Sequence, residues 1–146
     1  MTPRPTEYEN LIKTKALEAV NPTPDAVAGF LRNAADYKAT AQELDPGRAM
    51  QIFTLAYEGY FQVVQAVLTF YAVRTKDAGR NLAIQRVSTS LGVDTQEFAF
   101  ITKAHERRNG TSYVSPFPPV SKAEAATMLR ILARYLPIAH TLTGTP

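Results

Sequence analysis

Apolar residues recur along this chain at steps of three and four, the spacing of one face of an α-helix, and the pattern is interrupted by Pro, Gly and Asn-Pro signals. Thr6 and Glu9 read as a capping box that opens a first helix through about Val20, with Leu11, Ala16, Leu17 and Val20 facing inward. Asn21-Pro22 breaks it. Thr23-Pro24 is a cap followed by an N1 proline, and it predicts a second helix through Phe30, Leu31 and Ala34 to near Glu43. Asp45-Pro46 starts the longest helix, to about Arg74. After a turn at Thr75-Lys76-Asp77, with Asp77 as the cap, Leu82, Ile84, Val87 and Leu91 predict a fourth helix ending at Gly92. Asp94 and Glu97 open a fifth, which runs to Arg107-Arg108. Ser121 and Glu124 open a last one, faced by Ala125, Met128, Leu129, Leu132 and Leu136 and kinked or ended at Pro137. The intervening stretch from Asn109 to Val120 holds three prolines and reads as a fixed, extended loop, with Phe117 pinned against the bundle.

The third helix shapes the expected architecture. Between Arg48 and Arg74 its only charge is Glu58, and a helix apolar on most sides is normally buried in a bundle. Gln51, Glu58, Gln62 and Gln65 interrupt any run long enough to span a membrane. Ala56, Gly59 and Ala66 would let a partner helix approach closely, and the surplus of apolar surface suggests a homodimer. Glu58 is then either a satisfied interface carboxylate or a partner for an arginine. The fold class is all-α: an up-and-down bundle of five to six helices around a four-helix core.

With 146 residues the chain is one domain, 1–146, large enough for a substantial core. The net charge of +3 suits an anionic partner such as RNA or a nucleotide without requiring one. There are no cysteines, which excludes disulfides, thiolate metal sites and a thiol nucleophile. The two histidines, His105 and His140, lack metal-ligand spacing, so neither a metal nor another cofactor is expected. His140 has apolar neighbours and reads as structural. The polar start at Thr6-Glu7-Tyr8-Glu9-Asn10 has no signal core, and a cytoplasmic protein is the expectation.

Candidate chemistry is confined to His105-Glu106-Arg107-Arg108-Asn109-Gly110-Thr111-Ser112-Tyr113. Phe98, Ile101, His105 and Arg108 share one helix face, so Arg108 extends an apolar stripe at the edge of the core. A guanidinium held there can take a phosphate as a planar fork. Equally, cations in a last turn simply favour the helix dipole, and Asn-Gly is an ordinary stop. His105 is either a proton carrier or a half-buried residue bonded to a neighbour.

The order of features resembles the HEPN superfamily. It is carried by Ala56-Tyr57-Glu58-Gly59-Tyr60-Phe61 on a long central helix, Arg108-Asn109-Gly110-Thr111-Ser112-Tyr113 at the end of a later one, and Ser121-Lys122-Ala123-Glu124-Ala125 opening the last, over about residues 24–139. The resemblance implies a dimeric bundle that brings two Arg-x4-6-His motifs together in a shared cleft. Many members are metal-independent ribonucleases, often toxins paired with a nucleotidyltransferase antitoxin or used in defence. Others bind nucleotides or serve as silent partners. Arg108 would be the motif arginine and Asn109 the polar residue after it, while Tyr113 stands where the histidine belongs. A tyrosine, with a pKa of about 10, is a poor base beside a histidine at about 6.5. It can still orient a phosphate or stack on a base. The expected site is therefore Arg108, Tyr113 and His105, with Arg107, Asn109 and Glu58 as ligand contacts. Its expected use is RNA or nucleotide binding with little or no catalysis. A ribonuclease toxin and a plain interaction bundle are the alternatives.

Overall fold

A computed structural model describes residues 3–76 and 79–146. Helix α3 (Ala49–Phe70) packs against every other long helix: α2 (Ala26–Glu43), α4 (Arg80–Ser90), α5 (Thr95–Asn109) and α6 (Lys122–Thr143). Ile52, Phe53 and Leu68 point in different directions around α3, and all are buried. Burial of each such side chain contributes about 1.5–3 kcal/mol. A short α1 (Thr6–Lys13), two three-residue strands and a π-helical turn (Gly110–Val114) complete the described elements. The fold is an all-α helical bundle, as the periodicity predicts, and among the described residues no helix is long and apolar enough to cross a membrane.

The strands correct the expected helix boundaries. The first helix stops at Lys13 instead of continuing to Val20, because Lys15 takes a left-handed φ of 66° and redirects the chain. Leu17–Ala19 (β1) then pairs antiparallel with Val73–Thr75 (β2), in the register Leu17↔Thr75, Glu18↔Arg74 and Ala19↔Val73. Leu17 and Val73 enter the core, while Glu18 and Arg74 form an ion pair across the ribbon. The long helix likewise ends at Phe70, four residues before Arg74, with Ala72 at φ 57° making the corner into β2.

Several caps differ in detail. Thr6 is inside α1 rather than capping it, and Glu9 pairs with Arg4. Arg4 also donates to the carbonyls of Tyr71 and Ala72 at 2.7 and 3.2 Å, so the chain just before α1 is tied to the end of α3. Helix α2 begins at Ala26, whose N–H donates to the Thr23 carbonyl, and not at Pro24. Asp45 folds its carboxylate back onto the Gly47 N–H at 2.7 Å, which makes a turn and delays α3 to Ala49. Asp77 lies outside the described residues, and Leu82 is 38% exposed while Ala83, Ile84 and Val87 face the core.

Ser121 and Glu124 form the complete capping box that opens α6, each side chain accepting from the other's backbone N–H at 3.0 Å. Pro137 does not end this helix. The helix runs to Thr143 because Tyr135 and Leu136 before the proline and Ala139 after it are buried in the same core. His140 bonds the Thr145 carbonyl through Nδ1 at 3.1 Å.

The small residues of α3 are used within the chain. Ala56, Gly59 and Ala66 are all buried, so they offer no surface to a second copy. At Gly59 an added Cβ would stand 2.6 Å from Leu132 Cδ2 and 2.9 Å from Tyr37 Cβ. The leucine tip can rotate away, whereas the tyrosine Cβ moves only with its backbone. Gly59→Ala is therefore expected to push α2 from α3 and to destabilise the protein by about 1–3 kcal/mol. A thermal melt should show this as a midpoint lowered by several degrees; an unchanged midpoint would mean that the three-helix contact is looser than it looks.

Candidate functional site

Asn109-Gly110 does not stop α5. Gly110 keeps a right-handed φ of −59° and ψ of −48°, and the chain continues into a π-helical turn, Gly110–Val114. Its wider ring is closed by the Ser115 N–H on the Gly110 carbonyl, and Thr111 Oγ1 donates to the Arg107 carbonyl at 2.7 Å. The extended loop predicted for 109–120 is thus helical in its first half. Phe117, expected against the bundle, is 75% exposed. The wider turn matters for the candidate site because it suits partners five positions apart. It places the Arg108 guanidinium 5.8 Å from the centre of the Tyr113 ring, which is itself 75% exposed.

Arg107 and Arg108 are adjacent in sequence and opposite in use. Arg107 engages all five of its N–H donors inside the chain: Glu124 twice at 2.8 and 3.0 Å, Thr111 Oγ1, and the carbonyls of Pro118 and Pro119. It was expected to contact a ligand; instead it is a clamp that fastens the proline loop to the start of α6. Arg108 donates one aligned hydrogen bond, to Asn109 Oδ1 at 3.0 Å, and its Nη2 lies 2.9 Å from Glu58 Oε1 without hydrogen-bond alignment.

Glu58 is reached from two sides. Arg80, the first residue of α4, donates through Nη2 to Glu58 Oε2 at 2.9 Å, so each carboxylate oxygen faces a different arginine. The Arg80 guanidinium also lies 3.8 Å from the centre of the Phe61 ring, a close cation–π stack. Two guanidinium groups on one carboxylate leave the cluster with one excess positive charge. All three side chains are mostly buried, between 20% and 29% exposed.

His105 lies between this cluster and the core. The Asn109 amide is oriented by Arg108, which takes its oxygen, so the amide nitrogen faces His105 Nε2 at 3.2 Å. Nε2 must then accept, which assigns the proton to Nδ1, where it is donated to the Tyr57 hydroxyl at 2.6 Å. Burial pushes the histidine pKa down, and the charges of Arg80 and Arg108 push it further. The imidazole is neutral at pH 7 and both nitrogens are occupied. Burial also pushes the Tyr57 hydroxyl up to about 12, so it stays protonated at neutral pH.

The candidate residues Arg108, Tyr113, His105, Asn109 and Glu58 are therefore contiguous, and Arg107 is turned away. Arg80, Tyr57 and Phe61 join them. Arg80 carried a signal in the sequence: a cation at the first position of a helix opposes the dipole, so its placement needs another reason. Among the described residues no three His, Asp or Glu side chains gather as metal ligands. Two grooves, of about 500 and 470 Å³, are both lined by Phe117 and do not include Arg80, Glu58 or Arg108.

Neither a protein-family model nor a curated protein matches this chain.

The Arg107 clamp has a pH signature. Its hydrogen bonds hold the Glu124 carboxyl down at about 2, from an ordinary value of 4.5. A depressed folded-state pKa adds stability that is present above pH 4.5 and lost as pH falls toward 2. The stability difference between wild type and Glu124→Gln should thus be constant above that window and shrink within it. Denaturant titrations at stepped pH would check this, and a difference that stays flat down to pH 2 would mean that the pair is not coupled to folding.

Proposed function

We propose that this chain is a HEPN-like bundle that binds single-stranded RNA, or a nucleotide, through the Arg108–Tyr113 surface, and that it does so without cleaving it. One observation carries the reading. An exposed aromatic ring stands over an arginine with unengaged donors, while the nearest histidine has both nitrogens occupied. A guanidinium beside a free ring face suits a phosphate and the base attached to it, since stacking on an aromatic residue accepts any base. The excess positive charge of the cluster favours the same ligand.

Cleavage asks for more. Metal-free attack by a 2′-hydroxyl needs a base and an acid at the phosphorane as well as the charge Arg108 would supply. Tyr113 in the histidine position is a weak base, and His105 would have to release Asn109 before Nε2 could take a proton. Dimerisation belongs to the same reading, with the motif surfaces of two copies facing each other. So do a nucleotidyltransferase partner and a cytoplasmic location.

The test is binding of a labelled mixed-sequence single-stranded RNA in EDTA, followed by anisotropy over a range of salt, with intact RNA recovered afterwards. Arg108→Ala should weaken binding about tenfold or more. Tyr113→Ala should weaken it by about 1–3 kcal/mol with no change in melting temperature, because an exposed ring adds little to stability. Cleaved product with 2′,3′-cyclic ends from wild type alone would replace this proposal with the ribonuclease reading. Absence of any RNA or nucleotide binding would leave the plain interaction bundle.

A further inference from the structure

Arg80 is unaccounted for by the Arg108–Tyr113 surface, and its environment is unusual. Its Nε is buried and without a hydrogen-bond partner among the described residues, although its Nη2 bonds Glu58. Its guanidinium is clamped by the Phe61 ring at 3.8 Å and lies 5.2 Å from the centre of the Tyr57 ring. The side chain is held from two directions, in a place that opposes the α4 dipole, and its carboxylate partner Glu58 is shared with Arg108. Glu58 cannot neutralise it, because the other carboxylate oxygen faces Arg108.

The pair is already spaced for an oxyanion. A carboxylate presents two oxygens on one edge, and here each oxygen meets one guanidinium at 2.9 Å. A phosphate presents a similar edge with more charge and more acceptor oxygens, and both arginines have N–H groups left to offer it. Glu58 Oε1 is buried and lacks an aligned donor, so the resident anion fills the position imperfectly.

We infer that Arg80 and Arg108 form a two-arginine clamp for a single phosphate of the bound RNA, with Glu58 as the internal carboxylate that offsets part of their charge. This rests on the RNA-binding reading above and adds to it a second phosphate-contacting residue from a different helix. Phosphate on the clamp and a base on Tyr113 would make the ligand unit one nucleotide of a single strand, and duplex RNA, whose bases are stacked inside, would bind more weakly.

The experiment uses the whole chain and three variants, Arg80→Ala, Arg80→Lys and Glu58→Gln, against the same labelled single-stranded RNA across a salt series. Circular dichroism confirms folding of each. Arg80→Ala should weaken binding about tenfold and reduce the slope of log affinity against log salt by about 0.7, the value for one phosphate contact on a single strand. Arg80→Lys should restore the slope while recovering only part of the affinity, since a point charge replaces the fork. Glu58→Gln should tighten binding several-fold, because it removes the competing charge. A folded Arg80→Ala protein with wild-type affinity and slope, in the presence of an Arg108→Ala effect, would overturn the clamp and leave the Arg108–Tyr113 reading standing. Weakened binding in Glu58→Gln would also overturn it, since the carboxylate would then be serving the ligand instead of offsetting the arginines. Lack of RNA binding by wild type would overturn both readings together.

Discussion

The carboxylate of Glu58 is the constraint from which the polar side of this bundle is built. It is the only charge on α3, the helix that packs against all the others, and its side chain is four-fifths buried. A charge in that position has to be compensated from nearby elements, because leaving it alone would cost several kcal/mol. Arg80 and Arg108 do so from α4 and α5, so one anion ties three helices together. The apolar faces of α3 fix where α2 and α6 lie, and Glu58 fixes how the remaining two helices present their cations.

Around that anchor, neighbouring side chains are divided between holding and presenting. Arg107 and Arg108 are a hundred degrees apart on the helix. The first turns into the chain and closes the proline loop onto α6; the second turns to the surface beside Tyr113. Asn109 orders the next layer, since its amide takes Arg108 on the oxygen and His105 on the nitrogen. His105 in turn reaches Tyr57 in the core. The proton positions of this chain follow from the orientation of a single amide.

Much of the fold was legible because it depends on local signals. The α6 capping box, its inward stripe, and the broad buried face of α3 each lie within one stretch of sequence. What escaped depends on partners far away in the chain. Leu17–Ala19 has apolar residues compatible with a helix and becomes a strand only because Val73–Thr75 lies beside it. Pro137 reads as a kink or a stop, yet with packing on both sides of it the helix runs on to Thr143. At the candidate site the stretch from His105 to Tyr113 stood out by residue type, but Asn-Gly was misread. Glycine permits a left-handed stop without demanding one, and the hydrogen bonds of Thr111 carry the helix onward. The separate jobs of Arg107 and Arg108 were equally hidden, since they depend on Glu124 and the Pro118 and Pro119 carbonyls for one and on Glu58 for the other.

The small ribbon has a consequence for the order in which the chain assembles. Glu18 and Arg74, paired across it, are 56 residues apart, and the whole of α2 and α3 lies between them. Closing so long a loop for two three-residue strands is entropically unfavourable while the intervening chain is unstructured. Once α2 and α3 have collapsed into a hairpin, the ends of that loop are already near each other and the cost has been met by helix packing. The ribbon is therefore expected to form late and to open first, with its amides exchanging with solvent well before those of α3. Because Arg4 fastens the chain preceding α1 to the carbonyls just before β2, opening of the ribbon would loosen the first helix at the same time.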